Sequence, residues 1–221
     1  MRFIVIRAEL TIGFSSPQPF EFPVFAEEAV QSGYNPPKDG GTLMAVDNKG
    51  FQMKLERISK NGLQIIYNAD RGHLSLSSEE TQLLVTNVND VLGILNEAVG
   101  EVPSIKWYEF NYHVKIRSKI IPLESAVTDE SPPAKIFGEK TGMKVRPYSK
   151  AWCAFEGEVP AIPLNEVPEW LNVSVAPYVQ NPRYFYANVV YRRISIDEVT
   201  TFIEEVDDLL EQTVRDMRGE E

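Results

Sequence analysis

The sequence predicts an α+β protein, a mostly antiparallel sheet with two long amphipathic helices packed on one face. Three observations predict it. Several segments alternate apolar and polar side chains with the period of two that half-buried strands require. Two segments repeat apolar residues every three and four positions, as helices with one buried stripe do. Two of the alternating segments meet at Asn61-Gly62, residues that accept the left-handed backbone of a tight hairpin turn.

Residues 2–14 place Ile4, Ile6, Ala8, Leu10 and Ile12 on one side, and Phe3, Val5, Arg7, Glu9 and Thr11 on the other, a strand with one wholly apolar face. Residues 15–19 are turn-rich, 24–31 form a short helix ended by Gly33, and 33–42 read as a loop. Phe51, Met53 and Leu55 alternate with polar neighbours, and Leu63, Ile65 and Tyr67 resume the alternation after the Asn-Gly turn. Ser77 and Glu80 have the spacing of a capping box, in which the serine oxygen takes an orphan amide while the glutamate reaches back. A helix follows with Leu84, Val88, Val91, Leu92, Leu95 and Val99 as its stripe, stopped by Gly100 and Pro103.

The strongest strand comes next, with Tyr108, Phe110, Tyr112, Val114 and Ile116 on one face and Trp107, Glu109, Asn111, His113, Lys115 and Arg117 on the other. Residues 121–150 turn to Pro, Ser, Gly and charge, a linker or long loop. Strands at 151–159, at Leu171, Val173 and Val175, and at 184–194 follow, separated by a proline-punctuated crossing over 161–169 and an Asn181-Pro182 turn. Ser195 and Glu198 repeat the capping spacing. The last helix carries Val199, Phe202, Ile203, Val206, Leu209, Leu210, Val214 and Met217 on its buried stripe.

Strand, hairpin, capping spacing and long helix thus occur twice, without appreciable residue identity. The chain divides into a first half at 1–120, a linker at 121–150 and a second half at 151–221, or forms one continuous domain. If the Tyr108 face is covered by helices, the opposite face is open and presents Trp107, Glu109, His113, Lys115 and Arg117.

A chain of 221 residues with 43% hydrophobic and 24% charged side chains can bury a core without disulfides or metals. No apolar run is long enough to span a membrane, and Arg7 and Glu9 break the opening stretch before it could serve as a signal core. A cytoplasmic location without membrane contact is the expectation. The formal charge is −10, and residues 197–221 hold ten acidic side chains against Arg215 and Arg218. Between 106 and 150 the balance reverses, with nine basic residues against five acidic ones. Such an acidic chain is repelled by nucleic acid unless the charge is segregated.

No motif names a reaction. Gly138-Glu139-Lys140-Thr141-Gly142 lacks the spacing of a phosphate loop, and residues 33–42 lack a dinucleotide fingerprint, so no cofactor is implied. His73 and His113 would need two further ligands to hold zinc, and no metal site is assigned. Cys153, between Trp152 and Ala154 in a strand, reads as a small core hydrophobe.

The reading that remains is a non-catalytic component that recognises a protein partner or a second copy through an acidic surface: Glu204, Glu205, Asp208 and Glu211 on the last helix. Trp107, His113 and Arg117 on the open face are further binding candidates. The enzymatic alternative is a small hydrolase or ligand-binding enzyme. It would use the open face or the Asp70-Arg71-Gly72-His73 loop, with His73 as base beside Asp70, or His113 with Glu109 setting its tautomer. A second alternative places single-stranded nucleic acid on the strand that interleaves Arg183, Tyr184, Tyr186, Tyr191, Arg192 and Arg193.

Overall fold

The computed structural model describes residues 1–36, 42–46, 52–117, 132–142, 149–155, 162, 166–181 and 183–218. The chain runs β1 (Arg2–Phe14), α1 (Phe22–Gln31), β2 (Thr42–Val46), β3 (Gln52–Lys60), β4 (Leu63–Asn68), a 3-10 turn (Ala69–Arg71), β5 (His73–Ser78) and α2 (Thr81–Val99). It continues with β6 (Ile105–Arg117), α3 (Pro132–Thr141), β7 (Lys150–Phe155), β8 (Trp170–Pro177), β9 (Tyr184–Arg193) and α4 (Ile196–Arg218). The strands form one nine-stranded sheet in the order β2-β3-β4-β5-β1-β6-β9-β8-β7, and every neighbouring pair is antiparallel.

Three helices cover one face. The stripes of α2 (Leu84, Val88, Val91, Leu95) and α4 (Val199, Ile203, Val206, Leu210, Val214) pack with Phe22 and Phe25 of α1 on the alternate residues Ala8, Leu10, Ile12, Phe110, Tyr112 and Val114. Both long helices lie there, as their single apolar stripes require. In α4 the stripe is narrower than the sequence suggests, because Leu209 is 45% exposed beside Leu210 at 2%. Adjacent residues stand about 100° apart around a helix, and here that turn carries Leu209 off the buried stripe.

Two strands depart from the expected pattern. In β1 the pairing with β6 shifts between Val5 and Arg7. The extra residue of this bulge reverses the alternation, so Phe3 and Val5 pack against the core while Ile4 and Ile6 are exposed. Ser77 is not a helix cap but lies in β5, opposite Glu9 and Gln64. The helix begins at Thr81, and just before it the Glu80 amide donates to Ser78 Oγ at 3.0 Å. At α4 the second spacing is half realised: the Glu198 amide donates to Ser195 Oγ, while the Glu198 carboxylate pairs with Arg193.

The Asn61-Gly62 turn is present, with φ of 47° and 87°. Within the expected linker α3 is helical, and the rest of 121–150 lies outside the described residues apart from Gly142, Ser149 and Lys150. Residues 156–159 of the expected strand at 151–159, and residues 161 and 163–165 of the 161–169 crossing, also lie outside them. Cys153 is exposed on the edge strand β7 rather than buried.

Apart from β2 the sheet order is palindromic about the β1–β6 pair, with β5, β4 and β3 on one side and β9, β8 and β7 on the other. A long helix follows β5 in one half and β9 in the other. The topology therefore repeats about an axis between β1 and β6, which brings their polar faces together at the centre of the open side.

Candidate functional site

Two glutamates occupy like places about that axis. Leu10 and Phe110 face each other across β1 and β6, and Glu9 and Glu109 each precede one of them. Each carboxylate is held by the side chain two positions further along its own strand: Thr11 Oγ1 donates to Glu9 at 3.1 Å and Asn111 Nδ2 to Glu109 at 2.9 Å. Each also takes an arginine, Arg7 on Glu9 and Arg192 on Glu109. Both acids are thus neutralised where they stand.

Arg192 is the more enclosed of these cations, at 5% exposure. Its Nε donates to Glu109 at 2.8 Å and its Nη1 to the Val167 carbonyl at 2.9 Å, while the guanidinium lies over Trp107 at 4.2 Å. Gly13 is what admits the indole: a Cβ there would come within 2.4 Å of the Trp107 ring. His73 of β5, paired with Gly13, meets Trp107 edge-on at 5.0 Å.

These groups line a recess of about 730 Å³ with Thr11, Ser75, Asn68 and Arg71. Thr11 and Ser75 bond each other at 2.8 Å. Burial, then the charge of Arg71, lowers the pKa of His73, so its imidazole is neutral at neutral pH. Among the described residues it makes no hydrogen bond or ion pair to Asp70, which is exposed in the 3-10 turn. Among the described residues, no hydrogen bond joins the neutral His73 imidazole to a nucleophile or an orienting acid in the recess.

His113 stands further along the same face. Its Nδ1 lies 2.5 Å from Tyr186 Oη, and burial followed by Arg7 lowers its pKa. Glu109 does not set its tautomer, being engaged by Asn111 and Arg192. Beyond it Lys115 sits over Tyr178 at 4.4 Å, and Arg117 is exposed opposite Arg2. The strand that interleaves Tyr and Arg divides between faces. Tyr184, Tyr186 and Arg192 look out over the open side, whereas Tyr191 stacks on Phe202 of α4 at 4.1 Å and Arg193 pairs with Glu198. Alternation within β9 could have separated the two sets.

On the helix side, Glu204, Glu205 and Asp208 are exposed. Glu211 is bonded by the Met1 amino group at 2.6 Å and by Arg215, and these contacts hold its carboxyl below the usual range. Asp207 turns inward to accept from buried Tyr112 at 2.8 Å, and its burial raises its pKa. A groove of about 370 Å³ opens at the start of α4 between Asp197, Glu198 and Glu205, with Tyr191 and Phe202 also lining it.

No protein-family model matches the chain, and no curated protein does. Among solved structures, Methanococcus jannaschii TBP is similar with a TM-score of 0.34 and 9% identity over 96% of this chain and 99% of that one. At that level the likeness carries no argument about function.

Proposed function

We propose that the protein is a non-catalytic binding or assembly component of the cytoplasm that recognises a basic protein partner through the outer surface of its helix layer. The observation that supports this reading is the charge of that layer. Helix α1 contributes Glu27 and Glu28, α2 contributes Asp90 and Glu97, and α4 adds eight acidic residues, against only Arg215 and Arg218 in all three helices. A single-signed surface steers a complementary partner and raises its association rate. The groove between Asp197, Glu198 and Glu205 offers an anchor point for a lysine or arginine side chain, where Tyr191 and Phe202 would supply cation–π attraction.

The test is a comparison of wild-type protein with the triple variant Glu204→Gln, Glu205→Gln, Asp208→Gln in pull-downs and association kinetics at low and high salt. Exposed charges contribute little stability, so the variant folds. It is expected to lose partners that wild type retains at low salt, with slower association. Recovery of every partner at wild-type levels in low salt would sink the reading.

A further inference from the structure

The open end of the sheet carries the opposite charge from the helix layer. Arg2 lies directly opposite Arg117, which in turn lies opposite Tyr184 on β9; two residues along, Ile4, Lys115 and Tyr186 form the next row. Like charges facing each other across a strand pair are destabilising. Among the described residues neither Arg2 nor Arg117 has an acidic partner, and both are exposed. Aromatic rings fill the spaces between these cations. Tyr178 stacks with Tyr186 at 6.3 Å and 26°, and Lys115 lies over the Tyr178 ring.

The geometry points to this platform, formed by Arg2, Lys115, Arg117, Tyr178, Tyr184 and Tyr186, as a binding surface for single-stranded nucleic acid. The cations meet phosphates, and the partly exposed Tyr184, beside the stacked Tyr178–Tyr186 pair, offers a face on which an unpaired base stacks. A duplex keeps its bases stacked internally and would use only the cations, as would an anionic headgroup. The alternation of rings and charge therefore favours the unpaired strand. The net charge of −10 does not oppose this. The acidic helices lie on the far side of the sheet, a layer roughly 10 Å away, so the charges nearest a strand on the open face are the cations of the platform.

Fluorescence anisotropy with a labelled 20-nucleotide oligothymidine or oligouridine tests it on the full chain. Measurable binding is expected at 50 mM salt, with log K falling against log salt at a slope of about −2 if three phosphates are neutralised. Tyr184→Ala should weaken binding by at least about fivefold, the low end of one lost base stack. Arg117→Glu should weaken it more and flatten the salt slope. Both positions are outside the core, and thermal melts confirm that each variant is folded; Tyr184→Leu and Arg117→Gln replace any that is not. Absence of binding at 50 mM salt overturns the proposal. So does binding that survives both substitutions, or that is matched by the duplex or by phosphatidylserine vesicles, because rings would then play no part.

Discussion

Leu209 and Leu210 are neighbours in the chain and opposites in the fold. Leu210 is sealed in the core at 2% exposure, whereas Leu209 lies on the exposed flank of α4. Leu210→Ala is expected to cost about 2 to 5 kcal/mol through lost transfer energy and the cavity left behind, whereas Leu209→Ala should stay within about 0.5 kcal/mol. Denaturant titration of both variants measures the difference, and equal costs would show that the helix is rotated from the position described. Sequence spacing could not separate the two, since both residues fit a stripe drawn at threes and fours. Only the position of Val206 and Val214, which share the buried line with Leu210, fixes which leucine faces the sheet. Cys153 departs from its expected burial for a related reason: apolar neighbours in a strand suggest burial, but an edge strand leaves much of its surface open.

Elements with strict alternation were legible and those that break it were not. The face assignment of β6 follows directly from its sequence, and the open side carries Trp107, Glu109 and His113 as that alternation requires. β5 was hidden because His-Leu-Ser-Leu-Ser-Ser has too few apolar residues to look like a strand, and its serines resemble helix caps. It forms because β1 and β4 offer a hydrogen-bonding slot on either side, while Leu74 and Leu76 reach the core. The bulge in β1 leaves no local signature, since Ile4 and Ile6 look as apolar as Leu10. Across β6 and β9, the Glu109–Arg192 pair ties two strands with a bond that single-strand periodicity cannot reveal. Glu109→Ala takes the carboxylate from an almost wholly enclosed guanidinium, and should destabilise by up to about 3 to 5 kcal/mol, the cost of breaking a buried pair. Thermal and chemical melts check this. A loss below 1 kcal/mol would mean that water or a neighbouring acid reaches Arg192 freely.

For the molecule as a whole, acidity divides across the sheet as well as along the chain, a property that appears only when α1, α2 and α4 are seen to share a side. The open side has its own pH response. His73 and His113 both have folded-state pKa values below the ordinary 6.5, so the unfolded chain binds protons more readily than the fold does. Their stabilisation is complete above pH 6.5 and is lost as pH falls through the folded values. Asp207 acts in the opposite sense, because its raised pKa lets the fold take up a proton before the unfolded chain does. The double variant His73→Gln, His113→Gln isolates the histidine part: its midpoint should fall less than wild type between pH 7.5 and pH 5.5. An identical fall would show that neither imidazole is held neutral.

The palindromic strand order also governs how the chain reaches this state. Hairpins such as β3–β4 and β8–β9 bring together residues close in sequence, but Leu10 must find Phe110 a hundred positions away. Closing so long a loop is slow compared with forming a hairpin. Leu10 also pairs with Leu76 in β5 and Phe110 with Tyr191 in β9, both far apart in sequence, so the β1–β6 seam is one of three long-range closures that follow the hairpins. Until it closes, β1 and β6 are bare edges, open to pairing with the same strands of another chain, so the yield on refolding should fall as protein concentration rises.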